Sequence, residues 1–364
     1  MGKGNILLCA GGTGGHLFPA EAVAHEMIRR GYAVHLAADD RVERFAANFP
    51  AEEIHLIKSA TFSSKNPIGL AKTLVQLASG YLQSRRLLKR VSPVVVAGFG
   101  GYPTVPPLLA ASHLRIPTLI HEANAVLGRA NRLLGKRVTQ VAIGFGNTSH
   151  MDGIHVTVTG NPVRPAILEA SKEAFAAPKE TGKFQLLVFG GSQGAAYFSD
   201  VLPKALDLLA APLRKRLSVV QQAREEDKNT LIHAYENIGV EHQVDTFFTD
   251  MAAKIQQAHL VISRAGASTV SELAVVGRPA ILVPYPHALD HDQAMNASTV
   301  ATEGGAVIFQ QSVLTPEVLA DELSKAMKDP KKLALAAKNA KKTGKPNAVS
   351  MLGDMLEALA SGHN

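Results

Sequence analysis

One cysteine and no tryptophan occur among 364 residues, and aromatic side chains make up only 5%. The single thiol, Cys9, excludes an intramolecular disulfide and a cysteine-rich metal centre, and its place in an apolar run fits a reducing, cytoplasmic setting. No window offers about 18 uninterrupted apolar residues, so nothing reads as a membrane span. The start, MGKGNILLCAGG, has too short an apolar run and glycines too early for a secretory signal. Sparse aromatics, with no RNP, zinc-finger or helix-turn-helix pattern, argue against a nucleic-acid partner. Acid is scarce in one region. Residues 54–151 hold twelve Lys or Arg against one acid, Glu122, which makes that segment +11 and leaves −4 for the rest of a chain whose total is +7. A basic segment on an otherwise balanced chain points to an anionic surface or substrate.

What is present is a packed chain, 46% apolar and 19% charged, long enough for about two domains. Short apolar runs alternate with helix-length segments throughout. NILLCA, AVHLAA, PVVVAGFG, PTLIHEAN, QVAIGF and HVTVTG fall in the first half; FQLLVFGG, LSVVQQA, HQVDTFF, HLVISRAG, PAILVPY and AVIFQ fall in the second. Near-continuous apolar strands between helices read as parallel sheets covered on both faces, so the expected class is α/β with two doubly wound, Rossmann-like domains. TGNPVRPAI (159–167) marks the seam, which sets the domains at 1–160 and 165–340. The tail beyond Pro330 reads as two helices, with 341–364 expected to pack back on the first domain.

Four glycine turns follow strands: GGTGGH (11–16), GFGGYPTVP (98–106), GGSQGA (190–195) and SRAGASTVSE (263–272). Without a Cβ the chain turns sharply and presents its amides, and a helix start behind it adds partial positive charge, which suits a phosphate. GGTGGH misses the dinucleotide fingerprint because Leu17 stands where the third glycine belongs, and no G-K-[ST] follows for a P-loop. Asp39 and Asp40, after AVHLAA, keep a nicotinamide-cofactor reading open. All four turns lie at carboxyl ends of strands, where open α/β sheets bind ligands. A cleft between two such edges suits a substrate with a diphosphate on each side.

In the fourth turn Gly266 permits the bend, Ser268 or Thr269 can cap the helix, and Glu272 falls about one turn in. A carboxylate there can accept both hydrogens of a ribose diol; the plainer alternative is a capping-box acid. PHALDHDQAMNA (286–297) brings Gln293 and Asn296 for sugar hydroxyls, and its His and Asp residues lack metal-site spacing, so no metal is expected. In 66–90, Leu70, Leu74, Leu77, Tyr81 and Leu88 form one helical stripe beside Lys72, Arg85, Arg86, Lys89 and Arg90. Such a stripe is either core or the apolar face of a helix lying on an anionic leaflet.

GGTGGHLFPA, GFGGYPTVPP, HEANAVLGRANR, GNPVR, FGGSQGA and SRAGASTVSELAVVGRPAILVPYP…DQAMNA together resemble, in order and over nearly the whole chain, the bacterial peptidoglycan N-acetylglucosaminyltransferase family. The resemblance implies a GT-B architecture, two domains facing each other across a cleft, and inverting transfer from UDP-N-acetylglucosamine to undecaprenyl-linked lipid I without metal or cofactor. It implies a donor site of Thr13, Gly14, Gly15, Asn124, Arg164, Ser192, Gln193, Phe247, Phe248, Met251, Arg264, Ala267, Ser268, Thr269, Glu272 and Gln293. Within it Glu272 would take the ribose, Phe247, Phe248 and Met251 the uracil, Ser192 and Gln193 the diphosphate, and Gln293 with Asn124 the sugar. The acceptor diphosphate would lie near 11–15 and 98–103, against Gly11, Gly12, Gly100, Gly101 and Tyr102. His16, titrating near neutrality, would be the general base. Leu70, Leu74, Leu77, Tyr81, Arg85, Arg86, Lys89 and Arg90 would meet an anionic membrane at its cytoplasmic face. The chain departs from the family pattern at Ala123, where Gln is usual, and at Asp292, where an amide or histidine is commoner. A UDP-N-acetylglucosamine 2-epimerase shares the plan and the donor and is the rival reading; a non-catalytic membrane-docking subunit is a third.

Overall fold

The computed structural model describes residues 2–11, 14–44, 49–59, 67–190 and 196–362. It divides into two units, Met1–Arg164 with Pro346–Asn364, and Pro165–Lys345. In the first unit the apolar runs become β1 (Asn5–Cys9), β2 (Ala33–Ala38), β4 (Pro93–Gly98), β5 (Thr118–Glu122), β6 (Gln140–Ile143) and a two-residue β7 (Thr157–Val158). A further strand, β3 (Glu53–Leu56), was not expected; its side chains alternate polar and apolar, EIHL, as an edge strand allows. The helices are α1 (Gly14–Arg29), α2 (Pro67–Val91), α3 (Val105–His113) and α4 (Arg129–Leu134). The second unit holds α5 (Pro165–Ala170), β8 (Phe184–Phe189), α6 (Ala196–Asp207), α7 (Ala211–Arg214), β9 (Leu217–Gln222), α8 (Glu225–Asn237), β10 (Glu241–Asp245) and α9 (Met251–Gln257). It continues with β11 (Leu260–Ser263), α10 (Ala267–Val276), β12 (Ala280–Leu282), α11 (Asp292–Ala301), β13 (Ala306–Ile308), α12 (Pro316–Lys328) and α13 (Pro330–Thr343).

Among the described residues the first sheet runs β3-β2-β1-β4-β5-β6-β7 and the second β10-β9-β8-β11-β12-β13, all parallel. Each is the doubly wound order, which reverses between β1 and β4 and between β8 and β11. Such a reversal opens a crevice beyond the carboxyl ends of the two strands. Both faces of the first sheet are covered, so neighbouring residues are equally buried: Leu8 packs with Leu17, Val23 and Met27 of α1, while Leu7 packs on the other side with Leu88 of α2 and Leu108 of α3. The last helix, α14 (Ala348–Ser361), returns to the first unit and sets Leu352, Leu356 and Ala360 against the α1 face. Arg30, itself paired with Glu26 of α1 at 2.8 Å, fastens it through Asp354 and Glu357 at 2.7 and 2.9 Å. The return begins at Pro346, so 341–345 stay with the second unit rather than joining the first.

The stripe on α2 does not behave as one surface. Leu88 is core, Leu77 and Tyr81 are half-buried, and Leu74 is 54% exposed. Leu70 lies outside the side chains described. Among the described side chains of α2 the large exposed apolar ones are Leu74, Val75 and Leu82, with Lys72, Arg86, Lys89 and Arg90 exposed and Arg85 half-buried. No described helix is long and apolar enough to cross a membrane.

Candidate active site

The first crevice lies at the ends of β1 and β4. Their turns are stitched together by Gly11 N donating to Gly100 O (3.1 Å) and Phe99 N donating to Cys9 O (2.8 Å). His16, on the first turn of α1, fills the space between them. A Cβ on Gly11 would stand 3.0 Å from its Nδ1, one on Gly100 would stand 2.9 Å from its Cδ2, and one on Gly101 would lie 3.4 Å from its Nδ1. Gly100 and Gly101 also adopt φ of +95° and +82°, which disfavour any side chain. These glycines therefore clear room for an imidazole. Gly15 is different: among the described residues nothing lies within 4 Å of the place its Cβ would take, so its backbone is open on that side. Gly12 and Thr13 lie outside the described residues; Gly14 opens α1 with no acid in its first turn, leaving the helix's positive end uncompensated. Tyr102 heads the short 3-10 turn that follows β4 and is half-buried.

Burial pushes the His16 pKa down to about 4, with Arg41 lowering it further and Asp39 opposing. The imidazole is therefore neutral at physiological pH, which corrects the expectation of a base titrating near neutrality. Asp39 holds Arg41 through Nε at 2.8 Å, which occupies the carboxylate that a dinucleotide ribose would need.

Next to this crevice, HEAN ends β5 and folds around Glu122, which sequence reading noted only as the lone acid in a basic segment. Its carboxylate is buried and accepts four hydrogen bonds: Asn124 N (3.0 Å) and Nδ2 (3.4 Å) on Oε1, Gly128 N (2.8 Å) and Asn131 Nδ2 (2.9 Å) on Oε2. Burial raises its pKa in spite of these donors. Asn161 Nδ2 donates to Ala123 O at 2.9 Å, and His121 Nε2 meets Gly160 O at 3.1 Å. The loop that carries Asn124 is thus fixed from both sides, and Arg164, exposed, ends the unit just beyond.

In the second unit the 263–266 turn leads into α10. Gly266 is the N-cap and makes no side-chain cap, so neither Ser268 nor Thr269 caps the helix. Counting from Gly266 puts Thr269, not Glu272, at the third helical position, which removes the capping-box alternative. Glu272 stands half-buried one turn further on, with the amides of Ala267, Ser268 and Thr269 at the helix start. Arg264 is buried among the rings of Tyr197, Phe198 and Tyr285 and donates to Val283 O, Pro284 O and Gln311 Oε1 at 3.2, 3.3 and 2.6 Å. It braces the turn from behind. Gln293 Oε1 accepts from Ala265 N (3.2 Å) and Tyr285 N (2.9 Å), which commits its oxygen to the backbone and makes its amide NH2 the group suited to a sugar hydroxyl. Asp290 and His291, ahead of α11, hold left-handed φ of 53° and 55°, strain of the kind that collects at binding loops. Phe247 is 69% exposed while Phe248 is buried under Lys254 Nζ, 4.7 Å from its ring centre, and Met251 is half-buried. Ser192 and Gln193 lie outside the described residues.

Two parallel doubly wound units, with glycine turns at the switch point of the first and Gly266 at that of the second, define a GT-B-type α/β protein. The chain belongs to glycosyltransferase family 28: the family's N-terminal domain matches residues 6–143 and its C-terminal domain residues 185–352. It is 56% identical over 363 residues, all of this chain and 97% of the relative, to a UDP-N-acetylglucosamine–N-acetylmuramyl-(pentapeptide) pyrophosphoryl-undecaprenol N-acetylglucosamine transferase of Chelativorans sp.. The crystal structure of Acinetobacter baumannii MurG is similar at TM-score 0.80 and 30% identity, covering 97% of this chain and 99% of that one. A UDP-GlcNAc 2-epimerase from Neisseria meningitidis shares the fold alone, at 14% identity and TM-score 0.68, covering 97% of this chain and all of that one.

Proposed function

We infer that this chain transfers N-acetylglucosamine from UDP-N-acetylglucosamine to the C4 hydroxyl of the muramyl sugar of lipid I, giving lipid II and UDP with inversion at the anomeric carbon. The observation that carries this reading is the full-length identity of 56% to a transferase of that name, against 14% to the epimerase. In the transfer, the acceptor oxygen attacks C1, the C1–O bond to UDP breaks, and the hydroxyl proton passes to a base. His16 Nδ1 or Nε2 is that base. The turns that follow β1 and β4 take the lipid diphosphate, which fixes the hydroxyl within reach of the ring. Glu272 takes the ribose diol, and Phe247 and Met251 line the uracil.

Incubation of the purified chain with donor and a water-soluble lipid I analogue is expected to give disaccharide, and donor alone no N-acetylmannosamine; the reverse pattern would make it an epimerase. Glu272→Ala removes an acceptor of two charge-assisted hydrogen bonds, about 2–4 kcal/mol, so kcat/KM for the donor should fall roughly 30- to 1000-fold. A folded variant with parental donor kinetics would detach Glu272 from the ribose.

The lipid acceptor brings the chain to an anionic membrane, and the exposed Leu74, Val75 and Leu82 beside Arg86 and Lys89 on α2 support docking there. Each basic residue near such a surface contributes about 1 kcal/mol. Replacing Arg86 and Lys89 by Ser should therefore weaken binding to anionic vesicles about 30-fold at low salt, with activity on the soluble analogue unchanged. Equal vesicle sedimentation of both proteins would end this docking model.

A further inference from the structure

The transfer chemistry leaves one cluster of ligating side chains unused, at the edge of the first sheet. β3 pairs with β2 in a register that sets Glu53 opposite His35 and His55 opposite Ala37. Residues two apart share a face, so Glu53, His55 and His35 stand together on the side that the end of α2 covers. Both histidines are buried, their rings stack with centroids 5.5 Å apart, and His55 Nε2 lies 3.3 Å from His35 Nδ1. One ligand atom from each of His35, Glu53 and His55 lies within 4.8 Å of the other two. Two nitrogens held about 2.0–2.1 Å from a tetrahedral zinc ion stand about 3.3–3.4 Å apart, which is the spacing these two already have.

A cation competes for two of the three residues. The Arg90 guanidinium lies 3.1 Å from His55 Nδ1 and 3.2 Å from Glu53 Oε1, on a side chain that is 64% exposed and able to leave. Arg90 can only donate and Glu53 Oε1, 3.3 Å from the same His55 Nδ1, can only accept, so that edge of the ring is shared between a donor and a carboxylate while Nε2 faces His35 Nδ1. On the far side the exposed Glu52 Oε2 lies 3.9 Å from His35 Nε2, beyond hydrogen-bond distance. A pocket of about 400 Å³, lined by Glu53, His55, Gln83, Arg86 and Arg90 among others, opens onto the cluster.

We propose that His35 Nδ1, His55 Nε2 and the Glu53 carboxylate form a zinc site that staples the edge strand β3 to β2, the exposed Glu53 carboxylate leaving Arg90 and the Nδ1 edge of His55 for the Nε2 edge as zinc enters from the pocket. Zinc takes the lone pairs of His35 Nδ1 and His55 Nε2, so each neutral ring carries its hydrogen on its other nitrogen and no net proton is lost. Two histidines and a carboxylate are a zinc ligand set that leaves a fourth position for water.

The test uses the full chain, stripped with a chelator, titrated with zinc by calorimetry and with cobalt(II) by visible absorption. One equivalent of metal is expected, with the intense visible band of tetrahedral cobalt. His55→Gln should weaken binding by on the order of 100-fold and Glu53→Gln by on the order of tenfold. Arg90→Gln removes the competing charge and should tighten it by about tenfold. If the buried histidine variant fails to fold, the two exposed substitutions decide, since they must move affinity in opposite directions. Metal affinity that is the same in parent, Glu53→Gln and Arg90→Gln, or no bound equivalent in the parent, would overturn the site.

Discussion

Replacing His16 by alanine is expected to lower kcat for sugar transfer by roughly 10²- to 10⁴-fold while UDP binding stays nearly unchanged. The ring is held by three glycines from two turns, Gly11, Gly100 and Gly101, so its removal leaves a gap but breaks no strand pairing. What distinguishes a base from a binding group is pH. In the free protein the imidazole titrates at about 4, so kcat/KM controlled by His16 should fall only as pH drops through about 4. A diphosphate bound beside the ring favours its protonated form, so the corresponding limb of kcat should lie at higher pH than that of kcat/KM. The depressed value makes His16 a weaker base in the free protein and a stronger one once the acceptor's charge is in place. Both limbs should vanish in His16→Ala. A variant that keeps them, or whose whole loss is in the acceptor KM, would assign His16 to diphosphate binding alone.

The architecture was legible because parallel strands buried on both faces announce themselves as continuous apolar runs, from NILLCA to AVIFQ. β3 escaped because an edge strand is half polar: EIHL carries Glu53 and His55 on one face, which reads as loop in a list of apolar runs. The same alternation was the available signal for the histidine cluster, but its third member, His35, comes from β2 and joins only through register. GGTGGH reads as a turn suited to an anion, yet part of the reason for its glycines lies in Gly100 and Gly101, nearly ninety positions away, which with Gly11 make room for His16. No local pattern encodes that, nor the burial that lowers the His16 pKa. Glu122 was visible as a lone acid among twelve bases, and its meaning appeared only when the loop after β5 closed on it. The stripe on α2 misled because spacing places residues on one side of a helix without saying where the neighbouring element ends: Leu88 meets the sheet and Leu74 does not.

Glu122→Ala is expected to destabilise the first unit by about 4 kcal/mol, because it leaves two backbone and two side-chain donors without their acceptor in the interior. The substitution removes the anchor shared by Asn124, Gly128 and Asn131, so the HEAN loop should loosen even where the rest of the sheet holds. Glu122→Gln should cost about half as much. It keeps one carbonyl oxygen and the side-chain shape, and its new NH2 finds an acceptor if Asn131 turns its amide over, since the Asn131 oxygen has no hydrogen-bond partner. Charge also works in the glutamine's favour. Burial raises the Glu122 pKa, so the folded chain binds this proton more tightly than the unfolded one. The contribution of the group to stability is therefore fullest at low pH and declines as pH rises through the raised value, a decline that Glu122→Gln abolishes. Urea unfolding of the three proteins at pH 7 and at acid pH measures both effects. Equal midpoints for Ala and Gln, or a parent–Gln difference independent of pH, would show that the loop is held by packing and not by this carboxylate.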